Sequence, residues 1–396
     1  MRAKVAILKT DVGRVLEDYG RLMRLAGYRE ALSRDVPTLI KLNLSWTKYF
    51  PSCSSQPWQV DGVVRALLED GYRPERLLPV ENRTVVTEPW KGARNNRWLP
   101  VLENHGLRFQ PLTEVKWTVY RFKSKLLRLN EIFPEGIEIP ETYIGKQIIH
   151  LPTVKTHGHS TTTGAVKNAF GGLLKEVRHY AHKHIHEVLA DLMMMQRELH
   201  PSVFAVMDGT VCGDGAGPRT MVPHVKDYIL ASTDSVAIDA CAARMMGFDP
   251  MRIDYLRICQ ELGLGVADPR LIDVVGESID GVDFGFRTSR SLVIWGDQML
   301  RRGPLRFLEK VALHSPLVVW APMASNVYHD WLWYPLVGMA RIRSFRGTKW
   351  GRLMEERYGS GGGAAVSTPT SPRPARRAQE GSTPPAPAGT SPRSGS

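Results

Sequence analysis

The sequence predicts an α/β protein in which a mainly parallel sheet carries helices on both faces. Short apolar runs rich in β-branched residues alternate with segments whose apolar residues recur at helical spacing. Gly27 and Gly71 each follow such a helical segment, at the position where glycine commonly ends a helix. This alternation is typical of strands that are joined by crossover helices.

The predicted elements follow one another in a regular order. The first 112 residues carry strand 4–8, helix 14–27, strand 38–43, helix 60–71, strand 77–82, helix 92–105 and strand 107–112. After a less regular stretch, 113–146, come strand 147–152, a His-rich helix at 179–199, strands 202–209 and 227–233, helices 234–247 and 250–262, and strand 271–276.

Charge is distributed unevenly along the chain. The formal net charge is +12, yet residues 1–286 hold 36 Lys and Arg against 34 Asp and Glu, so the basic excess lies C-terminal to them. This distribution argues against nucleic-acid binding by the α/β body. We predict an α/β domain at 1–286, whole or as two lobes (1–112 and 147–286), a basic aromatic helical appendage at 287–358, and a disordered tail at 359–396.

The N-terminus and the cysteines predict a cytoplasmic protein. MRAKVAILKT has an apolar run of only four residues before Lys9, too short for a signal peptide. The four cysteines lie far apart without a CxxC pair, so we expect no iron–sulfur cluster and no zinc ribbon.

The segment 317–339 is apolar and aromatic, but its prolines and polar residues disfavour a membrane span. Two alternatives remain, an appendage that packs on the core and an interfacial element that attaches the protein to a membrane surface. The second alternative depends on aromatic residues that lie between two basic groups. The aromatic residues are Trp320, Trp331, Trp333 and Tyr334. The basic group before them is Arg301, Arg302, Arg306 and Lys310, and the one after them is Arg341, Arg343, Arg346 and Lys349.

The stretch VKTHGHSTTTGAVKNAF, residues 154–170, predicts an anion site. Thr161 to Thr163 can cap a helix that starts near Gly164, and the N–H groups of a first helical turn favour an anion. We expect a phosphate or carboxylate to be held there by Lys155, Thr163, Gly164 and Asn168, with His157 and Lys167 as catalytic residues. The alternative is a solvent-facing lysine pair beside an ordinary helix cap.

A second candidate group lies in RHYAHKHIHEVLADLMMM. On one helix, the spacing of His179, His182 and His186 places them on one face, which Leu189 and Met193 continue as an apolar stripe. Three interpretations stay open: buried hydrogen-bonded histidines, catalytic or substrate contacts by His182 and His186, and a metal half-site at His179, His182 and His186.

A third candidate group is MDGTVCGDGAGPR, residues 207–219. We predict that a strand ends at Asp208 and that a Gly-rich loop follows, in which Gly213 and Gly215 let the backbone approach an anion and Asp208 is a site carboxylate. The loop is not a GxGxxG motif, which disfavours a dinucleotide fold. Asp234 is best interpreted as a helix N-cap.

Several of these motifs, in this order, resemble the domain of unknown function 362 family. They are VAILKT, LIKLNLS, LPTVKTH, TGAVKNAFGG, the His-rich helix, VMDGTVCGDGAGP, ILASTDSVAIDACAARMMGFDP and YLRICQELGLGVAD, across roughly residues 1–285. The resemblance implies a mixed α/β fold. Many relatives carry an added ferredoxin with clustered cysteines, which this chain lacks.

The segment TGAVKNAFGG followed by histidines is also similar in layout to the nucleotide-cofactor domain of nickel-pincer enzymes such as lactate racemase. That likeness implies that Lys167 matches the lysine of their GGRK motif and that His182 or His186 matches a later histidine. The chain departs from the motif, because GAV replaces GGR.

Two functions follow as hypotheses. The first is a cytoplasmic enzyme that binds a small anionic substrate or an unknown cofactor and uses lysine and histidine for acid–base or redox chemistry. The second is a non-catalytic protein that binds an anionic ligand or a membrane surface.

Overall fold

A mixed sheet forms the centre of the protein. The computed structural model describes residues 2–84, 86–175, 181–289, 291, 295–296, 299–300, 303–304, 307 and 320–359. Within these residues the strands are β1 (Ala3–Lys9), β2 (Thr38–Lys41), β3 (Leu77–Glu81), β4 (Gln110–Pro111), β5 (Trp117–Tyr120), β6 (Ile137–Pro140), β7 (Gln147–His150), β8 (Thr153–His157), β9 (Thr161–Thr162), β10 (Val203–Ala216), β11 (Thr220–Ser232) and β12 (Ile272–Gly276).

The strand order is β12-β1-β11-β10-β7-β2-β3-β4, with β8 paired to β10 and to β9. Strand β11 runs antiparallel to β1 and β10, whereas β12–β1, β10–β7, β7–β2, β2–β3 and β3–β4 are parallel pairs. A separate two-stranded antiparallel sheet, β5–β6, lies in the stretch that lacked a regular pattern. The prediction of a mainly parallel sheet is confirmed.

Helices cover both faces of the sheet. They are α1 (Val15–Leu25), α2 (Tyr28–Ala31), α3 (Pro57–Glu69), α4 (Pro89–Asn95), α5 (Trp98–Asn104), α6 (Leu129–Ile132), α7 (Ala165–Leu173), α8 (Ile185–Leu199), α9 (Ser235–Met245), α10 (Asp254–Glu261), α11 (Trp320–Asn326), a π-helical segment (Val327–Gly338), α12 (Met339–Arg346) and α13 (Lys349–Tyr358). Helices α1, α3 and α5 contribute to one apolar core, and α7 to α10 contribute to a second core. Strand residues alternate between these cores, as β1 shows: Val5 and Ile7 lie in the second core and Ala6 and Leu8 in the first.

The predicted strand end at Asp208 is wrong. Strand β10 continues to Ala216 and pairs with β11 as a long antiparallel hairpin, so the glycines lie in a strand and not in a ligand loop. Gly213 lies opposite Lys155 of β8, and a Cβ at Gly217 would overlap the carbonyl oxygen of Thr156. The glycine-rich sequence therefore allows the hairpin to pack closely on β8.

The predicted His-rich helix is also shorter than expected. Residues 181–184 form a 3₁₀ turn and α8 begins at Ile185, while His179 lies outside the described residues. His182 packs against Phe170 of α7, whereas His186 accepts a hydrogen bond from the Tyr255 N–H of α10, so the two histidines contact different helices. Leu189 and Met193 are buried in the core, as the apolar stripe predicts.

The C-terminal helices pack on the body. Trp350 of α13 stacks near Trp58 of α3, with ring centroids 5.1 Å apart, and its indole N–H donates to Asp227 at 2.6 Å. The hydroxyl of Tyr358 donates to Asp61 at 2.9 Å. All described residues belong to one compact unit, Met1–Gly362, and the domain boundaries at 286 and 358 stay predictions. Across the part of the chain that the structure describes, no helix has both the length and the apolar character needed to cross a membrane.

Candidate functional site

Three neighbouring parallel strands end in polar residues at one edge of the sheet. The last residues of these strands are Lys41 in β2, Glu81 in β3 and His150 in β7. The Lys41 Nζ lies 2.8 Å from a carboxylate oxygen of Glu81, and both side chains are buried. The same carboxylate accepts hydrogen bonds from the backbone N–H groups of Leu44 and Asn82. These hydrogen bonds, together with the Lys41 ammonium, offset the cost of burying the Glu81 carboxylate.

Asn168 of α7 joins these strand ends. Its amide group donates to the Lys41 carbonyl oxygen at 3.0 Å and lies 3.3 Å from His150 Nδ1. The other ring nitrogen of His150 lies 2.6 Å from Gln196 Oε1, and burial lowers the pKa of His150 to about 3. Asn168, which the sequence assigned to an anion, lies in a buried network. We call Lys41, Asn43, Glu81, His150, Lys155 and Asn168 the carboxyl-edge network.

Lys155 lies inside this network, with only 1 % of its surface exposed. Its Nζ donates to Asn43 Oδ1 at 2.5 Å, to the Cys53 carbonyl oxygen at 2.8 Å and to Thr153 Oγ1 at 2.7 Å. Burial lowers the pKa of Lys155 to about 7, and these three acceptors match the three N–H groups of an ammonium. Through these hydrogen bonds, Lys155 connects β8 with the segment that follows β2.

The first turn of α7 already holds a carboxylate from the chain itself. Asp239 of α9 accepts hydrogen bonds from the N–H groups of Ala165 and Val166. The predicted threonine cap is wrong, since the N-cap residue is Gly164 and no side chain of the threonines caps the helix. Asp239 is buried, and burial raises its pKa to about 8 against the effect of these hydrogen bonds. These two N–H groups are therefore not available to an external anion.

Basic side chains meet beside α7. The rings of His157 and His159 are 5.9 Å apart, those of His159 and His182 are 5.5 Å apart, and His182 packs against Phe170 at 5.4 Å. The Lys167 Nζ lies over the same Phe170 ring at 5.4 Å. We call His157, His159, Lys167 and His182 the His–Lys cluster. His159, Lys167 and His182 are half-buried, so a ligand from solvent can contact them. The residues of the carboxyl-edge network are buried and not accessible in this way.

Hydrogen bonds define the role of His157. Its Nδ1 accepts from the backbone N–H groups of His159 at 3.1 Å and Ser160 at 3.3 Å, so the neutral ring carries its proton on Nε2. Burial and then the neighbouring Lys167, His159, His182 and Lys155 hold the pKa of His157 well below its usual value. Among the residues that the structure describes, the groups that act most on this ring are basic, and basic groups favour an anion nearby.

Asp208, His186 and Gly215 form hydrogen bonds with other parts of the protein. Asp208 accepts from Tyr19 at 2.7 Å and from Trp58 at 3.1 Å, residues of the opposite core, and burial raises its pKa to about 6. The Nδ1 of His186 accepts from the Tyr255 N–H of α10 at 3.2 Å. The Thr163 hydroxyl is buried without a hydrogen-bond partner among the described residues. Gly215 accepts through its carbonyl oxygen from the Thr156 hydroxyl.

Sequence reasoning did not single out Lys41, Glu81, His150 or His159. A signal was present, because TLIK, LLPVE and QIIH each end an apolar strand with an ionisable residue. Parallel strands place such ends at one edge of the sheet, where ligands of open α/β folds bind. His159 lies within the predicted motif, but its contact with His182 depends on the tertiary fold.

No metal centre emerges from the described part of the chain, where no group of three or more His, Cys, Asp or Glu is arranged to hold an ion. His179 falls outside that part, so the metal half-site stays a prediction. The four cysteines are buried free thiols.

The protein is a mixed α/β protein with a histidine and lysine cluster beside helix α7. The chain belongs to the family described as Domain of unknown function (DUF362), whose model matches residues 38–244. A thylakoid-associated protein of Synechocystis sp. is 25 % identical over 216 residues, which are 54 % of this chain. The match spans 63 % of that relative, less than two thirds of its length. No solved structure matches the chain. The likeness to lactate racemase stays a prediction.

Proposed function

We propose that the His–Lys cluster binds the phosphate or carboxylate group of a small ligand. The observation that carries this proposal is the meeting of the His157, His159 and His182 rings beside half-buried Lys167. Lys167 supplies an ammonium and His157 supplies the N–H of Nε2, both hydrogen-bond donors to an anion. The site differs from the one expected from sequence, because Lys155 and the first turn of α7 bind groups of the protein itself.

In the proposed enzyme, His159 or His182 exchanges a proton with the bound ligand. Both rings are half-buried, and the His159 ring lies 5.9 Å from that of His157 and 5.5 Å from that of His182. An imidazole is suited to this role because its ordinary pKa lies near neutral pH. The alternative in this class is a cytoplasmic protein that binds the same anion without turnover.

Thermal unfolding with inorganic phosphate and with small carboxylates tests the site. One of these anions should raise the midpoint of the wild type and should raise that of Lys167→Ala much less. Lys226→Ala is a matched control, because the Lys226 Nζ also lies over a phenylalanine ring, at 4.7 Å from the Phe284 centroid. If every anion leaves the wild-type midpoint unchanged, or protects Lys167→Ala equally, the site is wrongly placed.

A second proposal concerns a membrane surface. Trp331 and Leu336 are 72 % and 74 % exposed, and Met323, Leu332 and Met339 are also exposed. Trp333 and Tyr334 instead pack on Trp46 of the body, and Arg301, Arg302, Arg306 and Lys310 lie outside the described residues. The name of the Synechocystis relative, a thylakoid-associated protein, supports peripheral membrane contact.

The membrane proposal is tested by co-sedimentation with vesicles. Trp331→Ser with Leu336→Ser should reduce binding, because these side chains supply the apolar contact. Leu262→Ser, at an exposed leucine of the body, is the control. Equal binding by the double variant and the control would refute this surface.

A further inference from the structure

A basic cavity lies between the body and the C-terminal helices. It has a volume of about 540 Å³, and its lining includes Lys48, Arg94 and Arg97 of the body and Arg346 of α12. Glu355 of α13 is the acidic residue of the lining, so four cations face one anion there and the balance is +3. A cavity with this charge favours an anionic occupant.

Most of this positive charge is not neutralised by the protein. Arg346 forms an ion pair with Glu355 at 3.0 Å, and Lys48 donates to the Asp330 carbonyl oxygen. Among the residues that the structure describes, no carboxylate forms an ion pair with Arg94, which is exposed, or with Arg97, which is half-buried. Two guanidinium groups are therefore available to a ligand, and guanidinium binds phosphate through paired hydrogen bonds.

A second, independent observation is the hydroxyl of Tyr49, which lines the same cavity. It is buried and has no hydrogen-bond partner among the described residues. Buried hydroxyl groups in proteins nearly always have a partner, and a polar ligand group that reached this hydroxyl on binding would supply one.

The cavity adjoins the exposed apolar surface of the π-helical segment. Met339 both lines the cavity and is exposed, and Tyr334 of the segment also lines it. Trp331, Leu332 and Leu336 are exposed on the same segment. Exposed tryptophan and leucine beside cations are typical of a surface that enters the boundary between lipid headgroups and acyl chains.

We propose that this cavity binds the phosphate headgroup of an anionic phospholipid while Trp331, Leu332 and Leu336 enter the same leaflet. The proposal deepens the membrane contact proposed above and adds the recognition of a headgroup. The arginines favour a lipid over an apolar protein partner, because such a partner would bury Arg94 and Arg97 without a counter-charge.

Co-sedimentation of the full chain with two kinds of vesicle tests the proposal. Vesicles of phosphatidylcholine alone are compared with vesicles that also contain phosphatidylserine. We expect roughly ten- to thirtyfold tighter binding to the anionic vesicles, a preference that weakens as salt rises. Arg94→Ala with Arg97→Ala should remove most of this preference, whereas Arg252→Ala with Arg257→Ala, a control of equal charge, should lose much less.

The outcomes separate this inference from the membrane contact on which it rests. If the wild type binds neither vesicle, both proposals fail. If it binds both vesicles equally, or if the Arg94 and Arg97 variant keeps the full preference, only the headgroup site fails. Competition by inorganic phosphate distinguishes the sources of the anion: weak competition supports a lipid headgroup, and full release from the vesicles at low phosphate concentration would show that the cavity is a free-phosphate site. Circular dichroism confirms that each variant is folded.

Discussion

The carboxylate of Asp239 lies against the backbone of Gly164 and accepts hydrogen bonds from the N–H groups of Ala165 at 2.6 Å and Val166 at 3.1 Å. Gly164 has φ +104°, and a Cβ at this position would overlap the Asp239 carboxylate. Glycine thus allows a side chain of α9 to reach the first turn of α7. The sequence around Gly164 is typical of an anion site at a helix N-terminus. In the structure, however, the Asp239 side chain already occupies the first turn of α7.

Gly164→Ala should strongly destabilise the protein, because it adds both backbone strain and an overlap with Asp239. We expect a loss of about 3 kcal/mol or more in the free energy of unfolding, measured by denaturant titration. Gly145→Ala is the control, since Gly145 has φ +71° and nothing lies within 4 Å of its added Cβ. That variant should lose only about 1 to 2 kcal/mol. Equal losses for the two variants would contradict the close approach of Asp239.

Glu81→Gln should cost about 3 to 5 kcal/mol, because it leaves the buried Lys41 ammonium without its counter-charge. Glu138→Gln provides the comparison. Glu138 pairs with Lys175 at 2.5 Å, but both side chains are substantially exposed, so its loss should cost less than about 1 kcal/mol. The free energies of unfolding of both variants are measured in one buffer. Equal losses of stability in the two variants would show that the buried Lys41 ammonium does not depend on Glu81.

The pH dependence of stability should reveal Asp208. Burial raises its pKa from 3.8 to about 6, so the folded state holds this proton more tightly than the unfolded state does. The stabilisation is fully present below pH 4 and is lost as pH rises through 6, which amounts to about 3 kcal/mol. Asp208→Asn lacks this titration.

The readout for Asp208 is therefore the difference in unfolding free energy between wild type and Asp208→Asn at several pH values. The wild type should lose about 2 to 3 kcal/mol relative to the variant between pH 4 and pH 7.5. A difference that stays constant over this range, or that grows in favour of the wild type, would contradict the assignment.

Two truncations should separate the C-terminal helices from the residues after them. Ending the chain at Gly359 should change stability by less than about 0.5 kcal/mol, because residues 360–396 have few large apolar groups to bury. Ending it at Gly347 removes buried Trp350, Met354 and Tyr358 and should cost more than about 3 kcal/mol. Equal stability of the two truncated proteins would show that α13 does not stabilise the fold.

Local sequence predicted the elements well where one pattern dominated. The strand at TLIK and the helix that starts after Asp234 are confirmed, and the Asp234 side chain caps that helix as predicted. The pattern failed where tertiary packing decides the conformation. Glycines of β10 indicated a loop, although they allow a strand to pack on β8. His182 and His186 had helical spacing, but the chain forms a 3₁₀ turn before α8.

The candidate site was predicted only in part for the same reason. His157, Lys167 and His182 were identified from the sequence, and the structure places them together with His159. Their grouping depends on how β8, α7 and the turn before α8 pack, which residue spacing does not encode. Lys155 was expected to hold an anion, but its ammonium is buried and donates to Asn43 and Cys53 of the chain after β2 and to Thr153 of β8 itself.

The most direct test of the anion site is a ¹⁵N nuclear magnetic resonance titration of the histidine side chains with inorganic phosphate and then with small carboxylates. The account predicts that one of these anions shifts the ring signals of His157, His159 and His182 together, while buried His150 and His200 stay unchanged. Lys167→Ala should weaken that response roughly ten- to hundredfold in apparent affinity, because one charge-assisted contact is lost. Lys226→Ala should respond as the wild type does. Signals of the three histidines that shift with none of these anions, or that shift equally in Lys167→Ala, would contradict the proposal that the His–Lys cluster binds an anionic ligand.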